Sequence, residues 1–172
     1  MTSFEAHATD LMCKILLENT YEAIIYAGIN PKELRGTKTG IFIGSCHTEK
    51  RNIIIYYRLQ AAGYPIVGCS QYLLANSISN WFGLNRLSCA LDTACSSSHY
   101  AMAEAYRMIR SGECDAAIVG APTAGYCKPP FDASGTGYMR SEAVAILYLQ
   151  KAKDARRIYA TYVCAKTNSD GF

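Results

Sequence analysis

The sequence predicts an α/β fold in which a mixed sheet is covered by helices. Short apolar stretches alternate with longer amphipathic stretches along the chain, which is the order typical of α/β proteins. Half of the 172 residues are hydrophobic and 18% are charged, as expected for a globular rather than a disordered protein. At this length a single domain with a substantial core is expected.

The first helix is predicted from its two ends and its apolar face. Thr9 or Asp10 can cap a helix that runs to about Ala27, after which Gly28 can adopt the left-handed conformation that ends many helices. An apolar face predicts packing against a core. The residues on that face are Met12, Leu16, Thr20, Ala23 and Ala27.

The rest of the chain predicts five strands and two further helices. Apolar stretches bounded by glycine, proline or polar residues predict strands. They lie at residues 39–45, 87–91, 115–120, 143–149 and 158–165. Helices are predicted over residues 71–82 and after Cys95, with Gly112 ending the second of these. Residues 46–58 are compatible with either a helix or a long loop.

One cysteine lies where a predicted strand gives way to a predicted helix. Residues 92–98 read Asp-Thr-Ala-Cys-Ser-Ser-Ser and open an alanine-rich helical stretch. Cys95 is therefore expected in the first helical turn, where free backbone N–H groups and the helix dipole favour a thiolate. The same N–H groups can hold an oxyanion when a thioester carbonyl is attacked. The alternative interpretation is a buried packing thiol, because free cysteines are usually buried.

Charge and cysteine spacing argue against several other classes of protein. The formal net charge is only +3 and the basic residues are scattered, so no nucleic-acid partner is expected. The eight cysteines form no Cys-x-x-Cys pair and lack histidine or carboxylate neighbours at metal-ligand spacing, so neither a metal site nor a disulfide framework is predicted. Cys89 and Cys164 fall in predicted strands and are expected to be shielded. With no signal-peptide pattern and no run of eighteen apolar residues, we expect a cytoplasmic protein with reduced thiols and no membrane partner.

The segment around Cys95 resembles the nucleophile motif of β-ketoacyl synthases, the condensing enzymes of fatty-acid and polyketide synthesis. Collinear matches extend this resemblance over nearly the whole chain. They lie at residues 16–18, 21–24, 27–31, 112–120, 131–138, 140–142, 155–161 and 167–172. The last two stretches are similar to the condensing domain of animal-type multifunctional fatty acid synthases.

This resemblance implies a thiolase-like fold and a condensing activity. Residues 1–172 would be a partial N-terminal half, without the family's first strand, an internal segment after Gly120 and the C-terminal half. Cys95 would accept an acyl group from the phosphopantetheine arm of an acyl carrier protein, and decarboxylated malonyl thioester would then condense with that group. No cofactor is expected to bind directly. The implied partners are the acyl carrier protein domain and a second subunit in a homodimer.

The resemblance leaves three functions open. The family uses two histidines from its second half, and none of His7, His47 and His99 matches their motifs. His99 follows Cys95 by four residues, so the two could share a helix face and act as a dyad. The chain is therefore part of a condensing enzyme, a non-catalytic remnant that acts through dimer or carrier-protein binding, or a stand-alone cysteine acyltransferase or thioesterase that uses His99.

Overall fold

A computed structural model describes residues 9–46, 70–127 and 139–169. Its helices are α1 (Leu11–Tyr26), α2 (Gln71–Phe82) and α3 (Ser97–Arg110). Its strands are β1 (Thr39–Gly44), β2 (Ser88–Leu91), β3 (Ala116–Cys127) and β4 (Met139–Gln150). Short 3₁₀ turns are formed by Pro31–Leu34, Ala94–Ser96 and Ala152–Asp154. Residues 46–58, for which the sequence is compatible with a helix or a loop, lie outside the described residues except for Cys46. The family match at 131–138 also lies outside them.

The four strands form one mixed sheet in the order β2–β1–β3–β4. β1 runs parallel to both β2 and β3, and β3 pairs antiparallel with β4. The predicted α/β fold with a mixed sheet is thereby confirmed. The predicted strands at 115–120 and 143–149 are parts of longer strands, since the β3–β4 pairing extends from Ala116 opposite Gln150 to Cys127 opposite Met139.

β1 is buried along its whole length because both faces of the sheet are covered. Successive side chains of a strand point to opposite faces. Ile41 and Ile43 accordingly pack in the cluster that includes Ile118 and residues of α1 and α2. Phe42 packs in a second cluster with α3, to which Ala105 and Met108 contribute. A strand covered on both faces reads as continuously apolar, and this explains the 39–45 stretch.

The helix α1 has the predicted ends. Asp10, rather than Thr9, is the N-cap, and its Oδ1 accepts the N–H of Met12 at 2.8 Å. Gly28 follows the helix with φ +79°, and its N–H donates to the carbonyl of Ile25 at 2.9 Å. The buried face consists of Met12, Cys13, Leu16, Thr20 and Ile24. No helix in the described ranges combines the length and the hydropathy that crossing a bilayer requires.

The prediction of a strand at residues 158–165 is wrong. These residues have no regular secondary structure and are mostly exposed, Val163 to 79%. The segment instead crosses from the end of α1 to the outer side of α3. Arg156 donates to the carbonyl of Gly28 at 2.6 Å, and the hydroxyl of Tyr106 donates to that of Val163 at 3.0 Å. A β-prone stretch needs a neighbouring strand to pair its backbone, and this one lies against a helix.

Candidate active site

The site lies at the edge of the sheet where the parallel strands β1 and β2 end. Pairing continues one residue beyond β1, because the N–H of Ser45 donates to the carbonyl of Leu91 at 3.0 Å. The chain then leaves β2 and reaches α3 through the 3₁₀ turn Ala94–Ser96. In open α/β sheets, sites form outside the carboxyl ends of the strands, and this turn occupies that position.

Cys95 is the middle residue of the 3₁₀ turn and lies two residues before Ser97, the first residue of α3. It is therefore at the predicted strand-to-helix turn, but just before the helix instead of in its first turn. The side chain is exposed, so the interpretation of Cys95 as a buried packing thiol is wrong. Within the described residues, the amide N–H of Cys95 donates no hydrogen bond. An exposed thiol and an unpaired N–H thus belong to the same residue, which is the arrangement that attack on a thioester and stabilisation of its oxyanion require.

The backbone before Cys95 is held in an uncommon conformation. Ala94 has φ +52°, and it is the one non-glycine residue with positive φ in the described ranges. Its N–H donates to Oδ1 of Asp92 at 3.0 Å. The Ser97 hydroxyl donates to the carbonyl of Ala94 at 2.7 Å and accepts the N–H of Thr93 at 2.9 Å. Such strain persists only where the surrounding bonds impose it, and it is found at functional sites more often than elsewhere.

The start of α3 packs directly against Gly44, the last residue of β1. A Cβ at Gly44 would lie 2.5 Å from both the carbonyl carbon and the carbonyl oxygen of Ser97, and 2.7 Å from the nitrogen of Ser98. These are backbone atoms, which cannot swing aside as the end of a long side chain can. The absence of a side chain at Gly44 therefore sets how closely the helix that follows Cys95 approaches the sheet.

His99 does not join Cys95 in a dyad. His99 is exposed, and its Nδ1 lies 3.5 Å from the hydroxyl of Ser98. No hydrogen bond links His99 to the Cys95 thiol in the part of the chain that the structure describes. The geometry therefore does not support the stand-alone acyltransferase or thioesterase that would use His99.

The other described cysteines fall into two groups. Burial raises the pKa of the Cys13, Cys89 and Cys114 thiols, and the nearby charge of Glu104 raises that of Cys89 further. Cys46 and Cys164 are exposed. The expected shielding is thus found for Cys89, which is half-buried in β2, but it is wrong for Cys164, because residues 158–165 form no strand.

We expect limited alkylation at neutral pH to modify Cys95 before the other described thiols. Access alone does not separate Cys95 from Cys46 and Cys164, but of these three only Cys95 lies just before the N-terminus of a described helix, α3, where backbone N–H groups and the helix dipole stabilise negative charge that develops during reaction. The buried thiols react last because burial holds them protonated. Peptide mapping after substoichiometric iodoacetamide measures this order. Labelling of Cys46 or Cys164 with Cys95 spared would contradict it.

The comparisons with known proteins agree with this geometry. Residues 1–128 match the family model described as β-ketoacyl synthase, N-terminal domain. The chain belongs to the β-ketoacyl synthase family. It is 42% identical over 187 residues to a fatty acid synthase of the goose Anser anser anser, covering 98% of this chain and 53% of that sequence. It is 36% identical over 193 residues to a highly reducing polyketide synthase of Didymella fabae, covering 99% of this chain and 10% of that one. The chain therefore spans about half of the first of these relatives and a small part of the second.

Solved ketosynthase domains share the fold. A ketosynthase domain for oxazolomycin from Streptomyces albus matches with a TM-score of 0.74 and 26% identity, over 89% of this chain and 30% of the other. A ketosynthase from module 1 of the bacillaene synthase of Bacillus amyloliquefaciens matches with a TM-score of 0.73 and 26% identity, over 90% of this chain and 30% of the other. The thiolase-like fold predicted from the resemblance is thus confirmed for a partial ketosynthase domain.

Sequence reasoning missed two residues that shape this ketosynthase turn. Gly44 carried a usable signal, because a glycine inside an apolar strand often marks a close backbone approach. Ser97 carried none, since it is the second of three consecutive serines and the sequence does not show which hydroxyl faces the core.

Proposed function

We propose that this chain is the nucleophile-bearing part of a condensing domain and that Cys95 accepts the acyl group. The donor would be an acyl thioester on the phosphopantetheine arm of an acyl carrier protein. The observation that carries the proposal is that one residue, at a strained strand-to-helix turn, has both an exposed thiol and an N–H that donates no hydrogen bond to the part of the chain that the structure describes. Family membership and the likeness to a fatty acid synthase support it.

In the first half-reaction, the Cys95 thiolate attacks the carbonyl carbon of the thioester. The carbonyl oxygen gains negative charge and accepts, on one side, a hydrogen bond that the N–H of Cys95 donates. The carbon–sulfur bond to pantetheine then breaks, and the departing pantetheine thiolate takes up, through solvent water, the proton that the Cys95 thiol released when it ionised. The product is an acyl group in thioester linkage to Cys95.

The second half-reaction belongs to the complete enzyme. Malonyl thioester loses carbon dioxide, and the electron pair left on its α-carbon attacks the acyl carbonyl while the Cys95 sulfur departs as thiolate. The resemblance assigns two histidines of the second half to this step, and these 172 residues contain no match to their motifs. We therefore propose that this chain alone does not condense, and that the complete enzyme is a cytoplasmic homodimer.

Acylation with a synthetic thioester tests the proposal. We expect butyryl-pantetheine to transfer one butyryl group to the 172-residue chain, and mapping by mass spectrometry to locate it on Cys95. The physical reason is that transfer needs only a reachable thiol as nucleophile and an N–H for the oxyanion, and Cys95 can supply both groups. Hydroxylamine should remove the group, since it cleaves thioesters.

Two outcomes would count against this function. A stable adduct on Cys46 or Cys164 would show that exposure, and not the Cys95 turn, governs the transfer. The absence of any adduct on chain whose buried Cys114 remains unreactive would favour the non-catalytic remnant that acts through binding.

A further inference from the structure

Ser97 is a buried polar residue at the start of α3, two residues after Cys95. Only 4% of its surface is exposed, although its neighbours Asp92, Ala94 and Ser96 are exposed. A buried hydroxyl needs hydrogen-bond partners, and that of Ser97 has two, both in the turn that carries Cys95. The residue is therefore the anchor of this turn on the core side.

The two hydrogen bonds of Ser97 fall on either side of the strained peptide. The Ser97 hydroxyl accepts the N–H of Thr93 at 2.9 Å and donates to the carbonyl of Ala94 at 2.7 Å. Between these two groups lies the Thr93–Ala94 peptide, which leads into the positive φ of Ala94. If the hydroxyl were removed, the Thr93 N–H would lose the partner that holds it, and Ala94 could relax toward an ordinary conformation.

The main chain of Ser97, like its side chain, is fixed by contacts with its neighbours. Its carbonyl group packs directly against Gly44, where a Cβ would approach to 2.5 Å. The Ser97 hydroxyl thus links the turn to a residue whose main chain packs on β1. The other side-chain hydrogen bonds of the turn, from Asp92 and Ser96, are exposed to solvent. Bonds that water can replace hold a conformation less firmly than a buried one.

We propose that Ser97 is a positioning residue that holds the turn so that the thiol and the N–H of Cys95 face the same incoming carbonyl. Ser97 itself does not touch the substrate, and the inference rests on the proposed function of Cys95. Acyl transfer depends on both groups of Cys95, whereas alkylation depends on the thiolate alone. Loss of the hydroxyl should therefore slow the two reactions unequally.

The test compares Ser97→Ala, Ser97→Thr and Ser111→Ala in the 172-residue chain. Ser111 is the matched control, because its hydroxyl also donates to the carbonyl three residues earlier, at 3.1 Å to Met108, but at the far end of α3. We expect Ser97→Ala to reduce transfer from butyryl-pantetheine about tenfold or more and iodoacetamide alkylation of Cys95 by about twofold or less. Ser97→Thr, which keeps a hydroxyl, should recover most of the transfer, and Ser111→Ala should match the wild type in both reactions.

The outcomes separate this inference from the function on which it rests. Failure of the wild type to accept butyryl overturns both. A wild type that is acylated and a Ser97→Ala variant acylated at the same rate overturn the inference alone, as does an equal loss in acylation and alkylation. The buried Cys114 reports unfolding. If Cys114 becomes reactive in Ser97→Ala, that variant is unfolded and the test rests on Ser97→Thr. A folded Ser97→Thr chain that does not recover acyl transfer also overturns the inference.

Discussion

Substitution of Cys95 by alanine is expected to abolish acyl transfer from pantetheine thioesters. The substitution removes the sulfur that forms the new thioester. The buried Cys13 and Cys114 cannot replace it because burial keeps them protonated and out of reach, and the exposed Cys46 and Cys164 lie outside the turn that offers an N–H to the oxyanion. The butyryl adduct should fall from one group per chain to the level found without thioester. Mass spectrometry of the intact chain gives this number directly.

The variant His99→Gln is the control for Cys95→Ala. His99 is exposed and makes no hydrogen bond to Cys95 in the described residues, so its loss should leave acyl transfer within about twofold of the wild type. Equal loss in the two variants would restore the dyad and the function built on it.

The second half-reaction should be absent even in the wild-type chain. The enolate formed from malonyl thioester needs positioned donors, each worth about 100- to 1,000-fold in rate. Release of labelled carbon dioxide from malonyl-pantetheine should therefore stay at background. A Cys95-dependent condensation product from the purified chain would show that the donors lie within these 172 residues.

Substitution of Gly44 by alanine is expected to lower the free energy of unfolding more than the addition of a methyl group at any other position of this site. The new Cβ would lie 2.5 Å from the main chain of Ser97, so either β1 or the start of α3 must move. Overpacking costs about 1–3 kcal/mol, and we expect the upper end because the obstructing atoms are backbone. Urea unfolding followed by circular dichroism measures the change. Because α3 begins beside Cys95, the rate of Cys95 alkylation should change as well.

The variant Gly112→Ala provides the control for Gly44→Ala. Gly112 has φ +81° and no atom within 4 Å of a Cβ built on it, so alanine there meets backbone strain of about 1–2 kcal/mol without a clash. It lies beyond the far end of α3, and alkylation of Cys95 should remain at the wild-type rate. A Gly44→Ala chain as stable as the wild type, with unchanged alkylation, would show that the helix is not seated on this glycine.

Elements whose signals are local were predictable from the sequence. The ends of α1 follow from the side chain of Asp10 and the positive φ of Gly28, both of which act within one helical turn. The position of Cys95 between a strand and a helix follows from the change of apolar period after Leu91. The continuous apolar character of β1 likewise indicated a strand that is covered on both faces.

Features that depend on contacts between segments distant in sequence were decided only by the tertiary structure. Residues 158–165 have the composition of a strand, but the hydrogen bond that the Val163 carbonyl accepts comes from the Tyr106 hydroxyl of α3 and not from a neighbouring strand. The segment has no regular secondary structure, and Cys164 is exposed. Of the three consecutive serines, Ser97 is buried where its main chain packs against Gly44, whereas Ser96 is exposed. A sequence pattern records which conformation a segment prefers by itself. Which backbone groups find a partner, and which hydroxyl reaches the core, depends on segments that meet only in the folded chain.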